Sequence, residues 1–127
     1  MKFNRKRICA KFGFKMSNII YAVFLASLLE KPLYGYLLVE KLNEYGIKSD
    51  YVPYGAAYRI LRSMEAEGLV VSQWETSGNG PAKRIYEITD SGKSFLKEWF
   101  SVALKNLEIV EKILNKISEV IGDGKNK

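Results

Sequence analysis

The C-terminal stretch of the chain constrains its fold more than any other part. No proline or glycine interrupts residues 93–121, and Leu96, Phe100, Ala103, Leu107, Val110, Leu114, Ile117 and Ile121 recur at spacings of 4-3-4-3-4-3-4. A heptad seam sustained over several repeats lies on one side of a chain only if that chain is helical. A second row, Phe95, Trp99, Val102, Ile109, Ile113 and Val120, widens the seam. At about 1.5 Å per residue, such a helix reaches roughly 40 Å. A chain of 127 residues is the size of one domain and cannot cover a rod of that length with its own body. The projecting half calls for a partner. Folding back onto its own core is the weaker alternative.

The opposite end is basic. Lys2, Arg5, Lys6, Arg7, Lys11 and Lys15 fall within residues 1–17 with no acid among them, and the remaining 14 basic and 14 acidic residues cancel. The net charge of +6 is therefore a property of the arm, not of the folded part. Such an arm can track phosphates, sit on an anionic membrane or merely solubilise. Its Phe3, Ile8, Phe12, Phe14 and Met16 are irregularly spaced, so a loosely ordered segment is expected. The apolar run at 19–29 is too short to span a bilayer, and no cleavage-type site follows it. A soluble, cytoplasmic protein with no membrane partner is expected. The single Cys9 rules out an internal disulfide and agrees with a reducing compartment. With no histidine, the commonest general base and metal ligand is missing. No phosphate-cradling loop or nucleophile–base spacing replaces it, so neither an enzyme nor a cofactor or metal is expected.

Between these ends the chain alternates clear start and stop signals. Ser17 or Asn18 is expected to cap a first helix, IIYAVFLASLL, which is apolar on nearly every side and ends at Lys31-Pro32. All-round apolarity requires burial against more than one surface, and the second can belong to another subunit. A second helix runs from Tyr34 or Gly35 to Tyr45, with Leu38, Val39 and Leu42 inward and Gly46 as its stop. Residues 51–68, YVPYGAAYRILRSMEAEG, form a third, two-faced helix. Ala57, Ile60, Leu61 and Met64 make the core stripe; Gly55, Tyr58, Arg59 and Arg62 lie opposite. LVVSQWET and RIYEIT read as strands around the turn-forming SGNGPAK, and Thr89 or Asp90 caps the final helix.

Three helices, a hairpin and a long helix make a mainly α fold with a small β-hairpin. The order is that of a winged helix-turn-helix. The expected divisions are a basic arm (1–17), the winged unit (18–92), a C-terminal dimerisation helix (93–121) and a polar tail (122–127). In this arrangement the third helix enters the DNA major groove and the hairpin touches the nearby backbone. Gly78, Asn79, Gly80 and Pro81 would form the wing tip, with Lys83 and Arg84 at its base suited to phosphates. Arg59 and Arg62 suit base edges, since an arginine fork matches the two major-groove acceptors of guanine. A surface salt bridge from Arg62 to Glu65 or Glu67, and a merely solvated strand end at Lys83-Arg84, compete with these assignments.

The runs GYLLVEKLNEYG, YGAAYRILRSMEAEGLV and SQWETSGNGPAKRIYEITDSGKSFL, over roughly residues 18–100, resemble the PadR family of winged-helix transcriptional regulators. The matched motifs are Gly35-Tyr36, Gly55-Ala56-Ala57-Tyr58, the segment 65–69, the wing segment 80–86, and Thr89 with Gly92. The Trp74-Glu75-Thr76-Ser77 wing and the Y-R-x-L-R of helix three are nearest to polyhydroxybutyrate-responsive repressors. Two positions depart from the family pattern: Arg59 where Pro is common, and Ala56 where Thr or Asn is usual. The resemblance implies a homodimeric repressor, dimerised through its first and last helices. It would bind double-stranded DNA at an inverted-repeat operator and release it when a small hydrophobic effector binds.

The DNA-binding residues expected are Tyr36, Tyr54, Gly55, Tyr58, Arg59, Arg62, Lys83 and Arg84. The dimerisation residues expected are Tyr21, Phe24, Leu25, Phe100, Ala103, Leu107, Val110, Leu114 and Ile117. An effector pocket, if the chain has one, is expected at Trp99, Phe100 and Ala103. Ala103 stands where drug-binding members carry a stacking tryptophan, so a flat-aromatic site is not carried over. A different class of function also fits the seam and the arm. It is a coiled-coil assembly module whose basic tail binds nucleic acid or membrane without specificity.

Overall fold

The computed structural model describes residues 15–76, 78 and 80–122. The expectations for the arm at 1–14 (Cys9 included), for Asn79 of the wing tip and for the tail at 123–127 lie outside them. Helix α1, Met16–Glu30, starts one turn earlier than expected. Its N-cap is Lys15, without a side-chain cap, so neither Ser17 nor Asn18 has that role. The helix ends where Pro32 forces Lys31 into extended backbone. Two residues, Leu33–Tyr34, then form strand β1, which leads directly into helix α2, Gly35–Glu44. A loop carrying the buried Val52 connects to helix α3, Tyr54–Ala66. Strands β2, Val70–Glu75, and β3, Lys83–Ile88, precede helix α4, Asp90–Ile121.

The sheet is antiparallel in the order β1-β3-β2, so it has three strands instead of the hairpin's two. Leu33 pairs with Tyr86 and Tyr34 with Ile85, while Val70 to Glu75 run against Ile88 to Lys83. A two-residue strand carries no readable alternation, and only its partner in β3 defines it.

The core sits around α1. Ile20, Phe24, Leu25 and Leu28 are buried together with Leu38, Val39 and Leu42 of α2 and with Ala57, Leu61 and Met64 of α3. Leu69, Val70 and Tyr86 close it from the sheet. Because α1 packs against α2, α3, β3 and α4, its all-round apolarity is satisfied largely within one chain. This corrects the expectation that Phe24 and Leu25 meet a second subunit, since both are completely buried here. Tyr21 is also engaged at home. Its ring lies 5.6 Å from that of Phe95, and its hydroxyl donates to the Glu67 carboxylate at 3.1 and 3.2 Å. The exposed apolar residues of α1 are Ala26 and Leu29.

Helix α3 and helix α4 are joined by a backbone contact. The end of α3 closes with Gly68 in left-handed backbone (φ 80°), its amide on the Glu65 carbonyl and the Leu69 amide on the Met64 carbonyl. Thr89, the N-cap of α4, donates its amide to the Leu69 carbonyl at 3.1 Å and its hydroxyl to the Gly68 carbonyl at 2.7 Å. The same hydroxyl oxygen accepts the Gly92 amide at 3.0 Å, as an N-cap should. Gly92 lies so close to this turn that an added Cβ would stand 2.2 Å from the Leu69 carbonyl oxygen and 2.8 Å from Cγ1 of Ile88. Beyond this anchorage α4 runs to Ile121, 32 residues in all. Phe100, Leu107, Leu114, Ile117 and Ile121 of its seam are exposed, as are Leu104, Ile109, Ile113 and Val120, while Ala103 and Val110 are half-buried. No described helix is long and apolar enough to cross a membrane.

Two outcomes follow from this packing. Gly92→Ala is expected to cost about 3 kcal/mol and lower the thermal midpoint by roughly 10 °C. Gly55→Ala, whose new Cβ meets nothing within 4 Å, should hold or raise it. Melts of the two variants followed by circular dichroism check this, and equal midpoints would show that the Leu69 turn yields. Burial first, and then the hydrogen bond and charge of Glu67, push the Tyr21 hydroxyl up to about 12 from 10.0. The neutral form is thus favoured by folding. Its contribution is complete below the ordinary value and is lost as pH rises through the folded one. An alkaline absorbance titration should show late-ionising tyrosines among the eight, and Glu67→Gln should move the Tyr21 component earlier.

Candidate nucleic-acid interface

Helix α3 is two-faced as its periodicity requires. Ala57, Leu61 and Met64 are buried and Ile60 is half-buried, whereas Tyr54, Gly55, Tyr58, Arg59 and Arg62 are exposed. Positions 54, 58 and 62 follow one another at intervals of one turn, so both tyrosines and Arg62 share a single stripe. Neither carboxylate next to Arg62 is available to it. Glu65 faces Arg84 and Ser72, and Glu67 takes the Tyr21 hydroxyl. Among the described residues, Arg59 and Arg62 form no ion pair, so the competing salt bridge is not present.

Between α3 and the sheet runs an open groove of about 730 Å³, into which Tyr36, Tyr58, Arg62, Trp74, Lys83 and Arg84 all project. Tyr86 lies at its inner end, buried, with its ring 3.2 Å from where a Cβ on Gly35 would stand. Burial holds the Tyr86 hydroxyl above its ordinary pKa. Of the expected DNA-binding residues, Tyr36, Tyr58, Arg62, Lys83 and Arg84 therefore meet in one groove. Tyr54, Gly55 and Arg59 stand on the same exposed face of α3 but outside the groove.

The two cations of β3 have different environments. The Lys83 ammonium lies 5.6 Å from the Tyr34 ring and 5.7 Å from the Tyr36 ring, and these rings stack at 5.8 Å and 11°. Its cross-strand neighbour Glu75 accepts the Tyr34 hydroxyl, and that bond raises the pKa of Tyr34 more than its slight desolvation does. Lys83 thus forms no ion pair among the described residues. Arg84 is compensated instead. Its Nη1 donates to Ser72 Oγ at 2.7 Å and lies 3.7 Å from Glu65, and the Ser72 hydroxyl donates to Glu65 at 2.8 Å. The guanidinium carbon sits 4.5 Å from the Trp74 ring.

Sequence reasoning missed Tyr34 and Trp74. Tyr34 belongs to the strand too short to read. Trp74 carried a signal in the register of the hairpin, which sets it directly across from Arg84.

A second, apolar cavity of about 500 Å³ lies between α1 and α4. Ala22, Ala26, Leu29, Leu96, Trp99 and Phe100 form its walls, with Lys93 and Lys97 completing the lining. Trp99 and Phe100 are where an effector pocket was expected; Ala103 does not line it.

Three helices, a three-stranded sheet with its hairpin beside the third helix, and a trailing long helix define a winged helix-turn-helix protein. The chain belongs to the transcriptional regulator PadR-like family, whose model matches residues 24–98, more than half its length. It is accordingly a transcriptional regulator and not an enzyme. The crystal structure of TA0346 from Thermoplasma acidophilum is 27% identical, with a TM-score of 0.68 over 79% of this chain and 94% of that one. The PadR-like transcriptional regulator BC4206 from Bacillus cereus is 27% identical at a TM-score of 0.59, covering 80% and 93%. Bacillus subtilis PadR, solved in complex with operator DNA, is 27% identical at 0.56, covering 68% of this chain and 48% of that one. An uncharacterized protein of Lysinibacillus sphaericus is 25% identical over 85 residues, 64% of this chain and 78% of that one.

The site separates surface from core energetics. Glu65→Gln should cost less than about 1 kcal/mol, because both partners of the Glu65–Arg84 pair are about a third exposed. Tyr86→Ala, at a position 4% exposed, should cost about 3 kcal/mol. Urea midpoints of the two variants measure the contrast, and a large loss in Glu65→Gln would place the pair in the stability core.

Proposed function

We propose that this regulator is a repressor that binds an inverted-repeat operator as a homodimer. Helix α3 enters the major groove and the β2–β3 hairpin rests on the adjacent backbone. The observation that carries the proposal is the set of uncompensated cations, Arg59, Arg62 and Lys83, interleaved with Tyr36, Tyr54 and Tyr58 on one face. Exposed aromatic rings and free arginines along the outer stripe of a helix suit a polyanion with readable base edges. The operator complex of Bacillus subtilis PadR supports this direction.

The apolar stripe of α4, exposed from Phe100 to Ile121, supports the dimer, because a monomer rarely leaves so much contiguous apolar surface in water. Phe100, Leu107, Leu114 and Ile117 form its exposed seam, and the half-buried Ala103 and Val110 lie on the same seam. Two α3 helices held about 34 Å apart would then meet successive turns of one DNA face. The cavity between α1 and α4 is the proposed seat of a small hydrophobic effector whose binding there releases the operator.

Binding to a labelled duplex taken from upstream of its own gene tests the proposal. Affinity should fall by orders of magnitude between about 50 and 200 mM salt, and Arg62→Ala should lower it about tenfold and reduce the salt slope by about 1. Indifference to both salt and sequence would defeat the proposal. Leu107→Glu together with Leu114→Glu should give a monomer by light scattering, and the monomer should lose preference for the intact repeat over a half-site. Deleting residues 1–14 should weaken binding without abolishing that preference. Complete loss would instead assign the DNA contact to the arm.

A further inference from the structure

The hairpin exposes an indole that the preceding proposal leaves unused. Trp74 is 58% exposed although it is paired with Arg84 near the end of β2. The Arg84 guanidinium lies over its ring at 4.5 Å, and both side chains line the groove. Arg84 is fixed in turn by Ser72 of β2 and Glu65 of α3, so the indole is held by a network crossing a helix and two strands. A large apolar ring held rigid and half in water gains most if a partner covers its exposed surface. Beside it stands Lys83, its ammonium set over two stacked tyrosine rings and opposed by no ion pair among the described residues.

Aromatic faces alternating with free cations match a sugar–phosphate chain: cations meet phosphates, and flat rings pack against sugars or bases. We propose that Trp74 is a DNA-contact residue. Its exposed ring packs on the sugar edge of one strand while Lys83 takes a flanking phosphate. Arg84 is a positioning residue: it acts through the indole, because its own charge is already taken up by Glu65. Lys83 and Arg84, adjacent and alike in sequence, thus have different roles. This assignment rests on the proposal that the α3 face binds duplex DNA.

The chain has two tryptophans, so Trp99→Phe in the full-length protein leaves Trp74 as its only indole. The probe is a fluorescein-labelled duplex of about three helical turns from upstream of the gene, with a scrambled duplex of equal length beside it. Label anisotropy reports binding independently of the indole. At saturation, acrylamide quenching of Trp74 should fall at least about threefold, as expected when a stacked partner covers the ring. Lys83→Ala should lower affinity about tenfold and the salt slope by about 1, whereas Trp74→Ala should lower affinity with the slope unchanged. Arg84→Lys keeps the charge but loses the planar stack, so it should reproduce the Trp74→Ala loss.

Anisotropy showing a bound duplex while Trp74 remains equally quenchable, or Trp74→Ala binding as tightly as the parent, overturns this proposal and leaves the DNA function standing. No binding of either duplex even at low salt overturns both. If Trp99→Phe does not fold, the parent chain measured against Trp74→Phe isolates the same signal and decides the same question.

Discussion

The approach of Gly92 to the Leu69 carbonyl holds this protein together as a working unit. The α3 helix ends at Gly68, the chain turns, and the first turn of α4 sits on that turn with no room for a side chain between them. Thr89 binds the same two carbonyl-bearing residues, Gly68 and Leu69, while capping α4. A helix that projects far beyond the core is therefore rigidly referenced to the end of the helix bearing Tyr58, Arg59 and Arg62. In the proposed dimer, whatever fixes the separation of the two α4 helices also fixes that of the two α3 helices. A flexible joint at this point would lose that relation, because angular error at the root of a long rod grows along its length.

A second link joins α1 to the same place. The Tyr21 ring leans on Phe95 of α4, and its hydroxyl reaches Glu67 at the end of α3. Ala22, next to Tyr21, and Leu96, next to Phe95, both line the apolar cavity. The cavity is thus walled by residues adjacent in sequence to those that tie α1 to α4 and to the end of α3. Charge is organised with similar economy. Glu65 and Glu67 are committed to Arg84 and Tyr21, and Glu75 to Tyr34, which leaves Arg59, Arg62 and Lys83 without a counter-charge among the described residues.

Much of the architecture was legible because it rests on periodicity and stop signals. The faces of α3, the ends at Pro32 and Gly68, the Thr89 cap and the unbroken length of α4 are local properties, and the family motifs placed them in order. What failed did so for physical reasons. β1 is too short to show alternation, so its pairing with β3 and the position of Tyr34 could not be read. Phe24 and Leu25 looked available to a second chain because all-round apolarity does not say whose surface covers it. The α1 start at Met16, capped at Lys15, was missed because a helix can begin on backbone geometry alone, without a side-chain cap.

The sequence by itself determined the four helices and the hairpin, their order and their family, along with a helix too long for its own domain. These depend on neighbours in the chain: hydrophobic period, proline, glycine and capping side chains. Only the tertiary structure decided which charges remain free. Arg62, Lys83 and Arg84 look equivalent as letters, and any of them could pair with Glu65, Glu67 or Glu75. Folding brings Ser72 between Glu65 and Arg84, sends Glu67 to Tyr21 and Glu75 to Tyr34, and so leaves Arg62 and Lys83 open beside the indole of Trp74. The allocation of partners is settled by distances across the fold, which no spacing along the chain encodes.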